Sequence, residues 1–484
     1  MIPDYTGIAR ALRPEIFLIG GALVVLGLDL AFFRRCNPGR RLRLALGFAA
    51  MAVAAALGPA ICTETRDAVF GGVFMFDSLA VATRCGVLAL VLLVLGVSAG
   101  ACVSRNPAEY VALLLFAAAG FTLMAAAQQL LVAFLALELA SLSLYVLAGF
   151  DLSRRESAEA ALKYFLFGGM SAAFLLFGFS LIYGLTGSIE LHQISVVLAN
   201  QSPSPLFSVA LIMILVSFGF KMAAAPFHLW APDAYEGAPA PAAALIASAS
   251  KLSALVLFTR LLWMGFGSAG GNLLLPGWVP TVALLAAASM TLGNLAALAQ
   301  TNVRRLLAYS AIAHAGSLLL GVITVGTAGP GPVFYYAATY GLATVGAFGV
   351  IAVVERAGEC QRVTDLAGLY RRSPLLAGCL FVFILSLAGI PPLAGFFGKF
   401  FVFSAAFNIG GLAGPPGWLA LAALLLSIVS LYYYLLILKQ ALVLAPPANA
   451  GRIETPLLAA LALITCAALI ILLGVFPSVI LGVF

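Results

Sequence analysis

Fourteen apolar stretches, each about twenty residues or longer, follow one another along this 484-residue chain. They fall at roughly 15–33, 42–61, 78–101, 108–127, 129–150, 160–186, 206–229, 240–263, 276–298, 306–328, 333–354, 374–408, 416–441 and 456–482. A bilayer core takes about 20 helical residues per crossing. Backbone exposed to lipid must satisfy its own hydrogen bonds, so each stretch is predicted to cross as a helix. Composition agrees: 63% of residues are apolar and 9% charged, whereas soluble domains are near one half and one quarter. The first stretch begins after Pro14 and Glu15 without a basic leader, so it reads as a span and not as a cleavable signal. The predicted fold is an all-α polytopic membrane protein of about 14 transmembrane helices.

Lysine and arginine set the orientation. Gaps after odd-numbered spans hold Arg34, Arg35, Arg40, Arg41, Arg43, Arg105, Arg154, Arg155, Arg304, Arg305, Arg356, Arg362, Arg371, Arg372, Lys439 and Arg452. The N-terminal segment and the gaps after even-numbered spans hold only Arg10, Arg13, Arg66 and Arg260. The odd gaps are therefore expected in the cytoplasm and both termini outside. The net charge of +7 is explained by this topology; nucleic-acid binding would need a soluble basic face. No gap exceeds about 20 residues, which leaves no room outside the membrane for a nucleotide, flavin or haem site. Cys36, Cys62, Cys85, Cys102, Cys360, Cys379 and Cys466 are scattered, with no C-x-x-C pair, and read as small apolar fillers. No cofactor and no metal are expected in this chain.

Two spans carry internal prolines. In span seven, LVSFGFKMAAAPFHLWAPDAYEGAP, Pro226 follows Lys221 by five residues. It cannot donate to the carbonyl of Met222, so the helix should unwind beside the lysine. In span twelve, ILSLAGIPPLAGFFGKF, Pro391 and Pro392 precede Lys399 and should free carbonyls two turns before it. Lys221 and Lys399 are five spans apart, as are Glu138 and His314. An odd offset means opposite direction in the membrane. This pattern predicts two inverted five-helix repeats, 108–265 (spans 4–8) and 266–442 (spans 9–13), with 1–107 preceding them and a final helix in 443–484. Interrupted helices at matching positions of inverted units point to a transport site.

Glu138 is the one acid near the middle of a span; Lys221, Lys251 and Lys399 are the comparable bases. Each costs roughly 2.5–3.5 kcal/mol at a helix centre, and four without partners would cost on the order of 10 kcal/mol, a whole domain's net stability. They must pair, hydrate or go neutral. Glu138 and Lys221 are expected to form an ion pair whose breaking and re-forming releases and recruits a proton. The bland alternative is internal glue, though buried pairs seldom stabilise more than an apolar substitute. His314, mid-span near Tyr309 and Ser310, stands at the repeat position of Glu138 and suits a proton shuttle. His228 is expected in a polar cluster with Asp233 and Glu236, relaying protons to the cytoplasm. Lys163, beside Arg155, Glu156 and Glu159, is either a further relay or a side chain snorkelling to the headgroups. Ser250, Ser253, Tyr309, Ser310, Tyr432 and Tyr433 are candidates for orienting water between the charges. Arg84 and Asp77 read as anchors at the outer end of span three.

At these residues the chain resembles the antiporter-like subunits of respiratory complex I and the related multisubunit cation/proton antiporters. The segments that carry the resemblance are LALELASL, FKMAAAPFHLWAPDAYEGAP, SKLSAL, LLAYSAIAHAG and AGIPPLAGFFGKF, spread over essentially the whole chain. Among the three large complex I subunits it is most similar to subunit N. Lysine at position 399 speaks against subunit M, and the lack of a long C-terminal lateral helix speaks against subunit L. The resemblance implies that Glu138 and Lys221 form the pair on the cytoplasmic side, Lys251 the central relay, His314 a connecting group and Lys399 the exit site. It implies proton translocation in a bacterial inner-membrane NADH–quinone oxidoreductase, with NADH, flavin, iron–sulfur clusters and quinone handled by other subunits. Its expected partners are other membrane subunits, the bilayer and protons. A subunit of a sodium/proton antiporter or membrane-bound hydrogenase is the alternative on the same helices; an assembly scaffold with inert buried charges is a third.

Overall fold

The computed structural model describes residues 5–63, 66–69, 72–101, 106–200, 204–271, 277–358, 360–411, 414–447 and 451–484. Cys102 and Arg105 lie outside the described residues. The spans are α1 (Arg13–Ala31), α2 (Pro38–Ile61), α3 (Ser78–Ser98), α4 (Pro107–Ala126), α5 (Leu130–Ala148) and α6 (Arg155–Thr186). They continue as α7a (Pro205–Met222), α7b (Trp230–Gly237), α8a (Ala240–Ala247), α8b (Ala249–Arg260) and α9 (Trp278–Leu298). The rest are α10 (Val303–Ala328), α11 (Gly331–Ala357), α12a (Pro374–Ala388), α12b (Ala394–Gly410), α13 (Pro415–Leu442) and α14 (Leu457–Val475). Among the described residues thirteen spans are long and apolar enough to cross a membrane. The short halves α12a and α12b together supply the fourteenth.

Helix boundaries follow local chemistry. Proline occupies the first turn of α2, α4, α7a, α12a and α13, where its missing N–H is no loss. Asp77 caps α3 by accepting from the N–H of Ala80 at 2.8 Å. Asn302 caps α10 by accepting from the N–H groups of Arg304 and Arg305. The gap between α2 and α3 holds a short antiparallel pair, β1 (Arg66–Val69) and β2 (Phe74–Phe76), which apolar periodicity did not reveal.

Contacts between gaps test the alternation of the first eleven spans independently. Phe74 bridges to Ala127 and Gln129 to Glu190, joining the gaps after spans two, four and six. Asn302 bridges to Arg362, joining the gaps after spans nine and eleven. Ion pairs obey the same parity. Arg260 meets Asp77 and Arg84 meets Glu15 on one side; Lys163 and Arg305 both meet Asp233 on the other. A single span miscounted between the first and the eleventh would have mixed the two sets.

Burial is graded. The best windows of α8, α10 and α11 are 100%, 94% and 94% buried, while those of α1, α2, α6 and α13 are 33% buried. The centre of the bundle is therefore built from the helices that carry Lys251 and His314.

Candidate functional site

In span seven the sequence MAAAPF cannot continue a helix past Met222. Ala223 turns left-handed at φ 56° and Pro226 follows a cis bond. The groups freed by the break find partners elsewhere: the N–H of Ala225 donates to Ser289 Oγ of α9 at 2.8 Å, and Trp230 Nε1 donates to the carbonyl of Phe220 at 3.0 Å. The result is a fixed break and not a frayed end. Lys221 sits in the last turn of α7a, where the helix dipole favours a cation. Its Nζ donates to Ser141 Oγ at 2.8 Å. Ser141 lies three residues after Glu138 on α5, so the two share a helix face.

The expected direct pair between Lys221 and Glu138 is not made. The two groups are within electrostatic reach of each other, but the ammonium is held one helical turn away on Ser141. Glu138 Oε1 is buried and accepts no hydrogen bond. The serine takes the place next to the amine because α5 presents it at the level of the α7a terminus, while the carboxylate lies a turn off.

At the centre, Ser248 interrupts span eight at φ −111° and ψ −87°, an interruption without a proline that the sequence reading missed. Lys251 follows by three residues. Its Nζ donates to the carbonyl of Ala311 on α10 at 2.8 Å and lies 5.8 Å from the Tyr340 ring centroid, within cation–π range. One turn along α10, His314 is bracketed: Nδ1 meets Tyr336 Oη at 2.7 Å and Nε2 meets Tyr434 Oη at 3.1 Å. Tyr434 in turn bonds to Ser310 Oγ.

Span twelve breaks between Gly389, at φ 86°, and Leu393, with a cis bond between Pro391 and Pro392. Lys399 of α12b reaches back across the break, and its Nζ donates to the carbonyl of Ala388 at 3.0 Å. Both proline breaks thus present the negative end of a half-helix to a lysine. A polar cavity of about 10 Å3 separates Lys399 from His314 and is lined also by Asn294, Ser317, Ser430 and Tyr433, close to the least volume that holds one water. Tyr433 Oη donates to Asn294 Oδ1 at 3.0 Å.

All four central groups are buried: Lys221 is 4% exposed, Lys251 3%, His314 5% and Lys399 8%. Each of the three amines donates to a neutral oxygen, and no carboxylate lies in salt-bridge contact with any of them among the described residues. A neutral oxygen accepts from –NH3+ and from –NH2 alike, so the geometry holds the amine in either charge state. A carboxylate partner would instead have fixed the positive form.

Three peripheral expectations are corrected. Asp233 and Glu236 do not gather around His228. Asp233 binds Lys163 at 2.6 Å and Arg305 at 2.6 Å, and Glu236 binds Arg305 at 2.8 Å and Asn302 Nδ2 at 2.8 Å. His228 is buried in the break of span seven, with Nδ1 unpartnered and its ring centroid 6.5 Å from that of Tyr309. Lys163 neither snorkels freely nor reaches the centre; it ties Glu159 to Asp233. Arg304 completes this clamp on α7b, donating to the carbonyls of Glu236 and Ala238 and pairing with Glu355. Tyr432 is 60% exposed and faces away from the site; its neighbour Tyr434 is the tyrosine on His314. Arg84 and Asp77 are anchors as expected, bound to Glu15 and Arg260.

A profile of the family described as "NADH:quinone oxidoreductase/Mrp antiporter, TM" matches residues 127–435, a segment that holds every central group named above. The chain is 46% identical to NADH-quinone oxidoreductase subunit N 2 of Acidobacterium capsulatum, over 98% of each chain. It is 37% identical to NADH-quinone oxidoreductase subunit N of Nitrosomonas europaea, over 100% of this chain and 97% of that one. A chain of respiratory complex I from Thermus thermophilus with bound aureothin superposes with a TM-score of 0.80 at 34% identity, over 97% of this chain and 98% of that one. A chain of the Mrp complex from Dietzia sp. DQ12-45-1b, 22% identical, shares the fold with a TM-score of 0.81 over 98% of this chain and 96% of that one. The fourteen spans, the two proline breaks and these likenesses agree: the chain belongs to the NADH:quinone oxidoreductase/Mrp antiporter transmembrane family.

Proposed function

We propose that this chain is a proton-translocating membrane subunit of an NADH–quinone oxidoreductase and moves protons along Glu138, Lys221, Lys251, His314 and Lys399. The observation that carries the reading is the set of three buried amines, each held by a neutral oxygen that leaves its charge free to change. Lysine suits this role because its ammonium can give up a proton, whereas arginine stays charged. Arginine accordingly appears at the ends of the spans, in permanent pairs with Glu15, Asp77 and Glu355. Electron transfer and its cofactors belong to other subunits of the assembly, which bind NADH and quinone. The chain sits in a bacterial inner membrane with both termini periplasmic, a placement supported by the basic residues gathered in the odd-numbered gaps. His228, buried in the break with Nδ1 unpartnered, is the candidate we assign to passing protons between the cytoplasmic side and the centre.

The test is Lys221→Ala and Glu138→Ala in the assembled complex, with NADH oxidation and proton translocation measured together. Assembly is expected to persist and coupled turnover to fall sharply. Wild-type proton-coupled activity in either variant would overturn the assignment.

A further inference from the structure

A groove of about 540 Å3 runs between α12b and α13. It begins at the span-twelve break, beside Lys399, and ends beside Phe407 and Asn408. Its walls are apolar, chiefly Phe396, Phe400, Phe403, Leu424 and Ile428. Phe400, Leu424 and Ile428 are 53%, 51% and 61% exposed, so the groove opens sideways along its length. Lys399 and Ser427 line both this groove and the small polar cavity beside His314. Lys399 therefore stands between the small polar cavity and the apolar groove.

The dimensions select the occupant. From Phe396, the first residue of α12b in its wall, to Asn408 the helix rises about 18 Å, a little over half of a hydrocarbon core of about 30 Å. Trp418, 59% exposed in the first turns of α13, stands at the far end of the groove, where aromatic residues mark the headgroup level. The groove therefore spans one leaflet, from near the midplane to the interface. Spread over about 18 Å, a volume of about 540 Å3 leaves a mean cross-section near 30 Å2. A helix about 10 Å across needs more than twice that, whereas an extended hydrocarbon chain fits.

We propose that this groove seats a single phospholipid acyl chain, and that the chain closes the lipid-facing side of Lys399 so that water does not reach the amine from that leaflet. The seat stands on the groove alone; the sealing role rests on the proposed function, and the two are read separately.

The test uses the assembly in which the chain purifies, placed in nanodiscs of phosphatidylcholine brominated at mid-chain and imaged by cryo-electron microscopy. Bromine density is expected between Phe400 and Ile428. A neighbouring subunit's side chains or ordered water in the groove, or an empty groove while brominated chains are resolved elsewhere around the protein, would overturn the seat. Two variants then address sealing, with passive proton leak measured in phosphatidylcholine proteoliposomes under an imposed pH gradient. Leu424→Ser with Ile428→Ser should lose the bromine density and raise the leak several-fold. Ser404→Trp should lose the density but not raise the leak, because the indole fills the groove. Density retained in both variants overturns the seat. Density lost from the serine variant without added leak, or an equal leak in Ser404→Trp, overturns the sealing role.

Discussion

Lys399 and Ala388 meet across the break in span twelve, the amine donating to a carbonyl that an unbroken helix would have used itself. If the amine were only a counter-charge for the half-helix end, arginine would serve as well. If it exchanges a proton, arginine fails because its charge is permanent. Lys399→Arg and Lys399→Met are both expected to lower coupled turnover by about tenfold or more. Activity retained by Lys399→Arg alone would mark the lysine as structural.

Ser141 is the direct partner of Lys221. Ser141→Ala removes a charge-assisted hydrogen bond worth about 2 kcal/mol and frees the ammonium to swing one turn toward Glu138. A tighter ion pair is slower to break, so coupled turnover should fall several-fold, while Ser141→Thr, which keeps the hydroxyl, should stay near wild type. Steady-state NADH oxidation in coupled vesicles reads both; equal rates in the two variants would remove Ser141 from the path.

Tyr434 and Tyr432 form an internal control. Tyr434→Phe breaks the link between His314 and Ser310 and is expected to cut proton translocation without changing assembly. Tyr432→Phe alters a side chain that faces outward and should change neither. The same loss in both variants would show that the effect is not transmitted through His314.

The clamp on α7b is a matter of stability. Arg304 is buried and joins Glu355 to two carbonyls of the α7b end. Arg304→Ala should cost about 3 kcal/mol or more, since it strands a partly buried acid and two carbonyls. Arg305→Ala removes more exposed pairs and should cost about 1 kcal/mol. Thermal unfolding of the purified complex reads the difference, and the reverse order would contradict it.

The spans were legible because a bilayer demands about 20 apolar residues per crossing, and both major breaks because proline cannot donate. The lysines stood out because a charge in such a run is costly. What escaped was side-chain detail that the apolar pattern does not encode. Ser248 interrupts span eight amid small residues with no proline at the site. Ser141 was recoverable from its three-residue spacing to Glu138, yet its placement beside Lys221 depends on how α5 and α7a pack. Which of three consecutive tyrosines, 432–434, faces His314 is decided by the rotation of α13. Asp233 was assigned to His228 because the two are near in sequence, but in space Lys163 and Arg305 claim it.

Lys251 is the sharpest place to probe proton passage, because its amine donates to a carbonyl oxygen and lies over a ring face in the most buried span. The measurement is the number of protons translocated per NADH oxidised by Lys251→Met in sealed proteoliposomes. A clear fall in that ratio, with the complex intact, is expected. An unchanged ratio at normal NADH oxidation would mean that protons do not cross through this chain's row of buried amines.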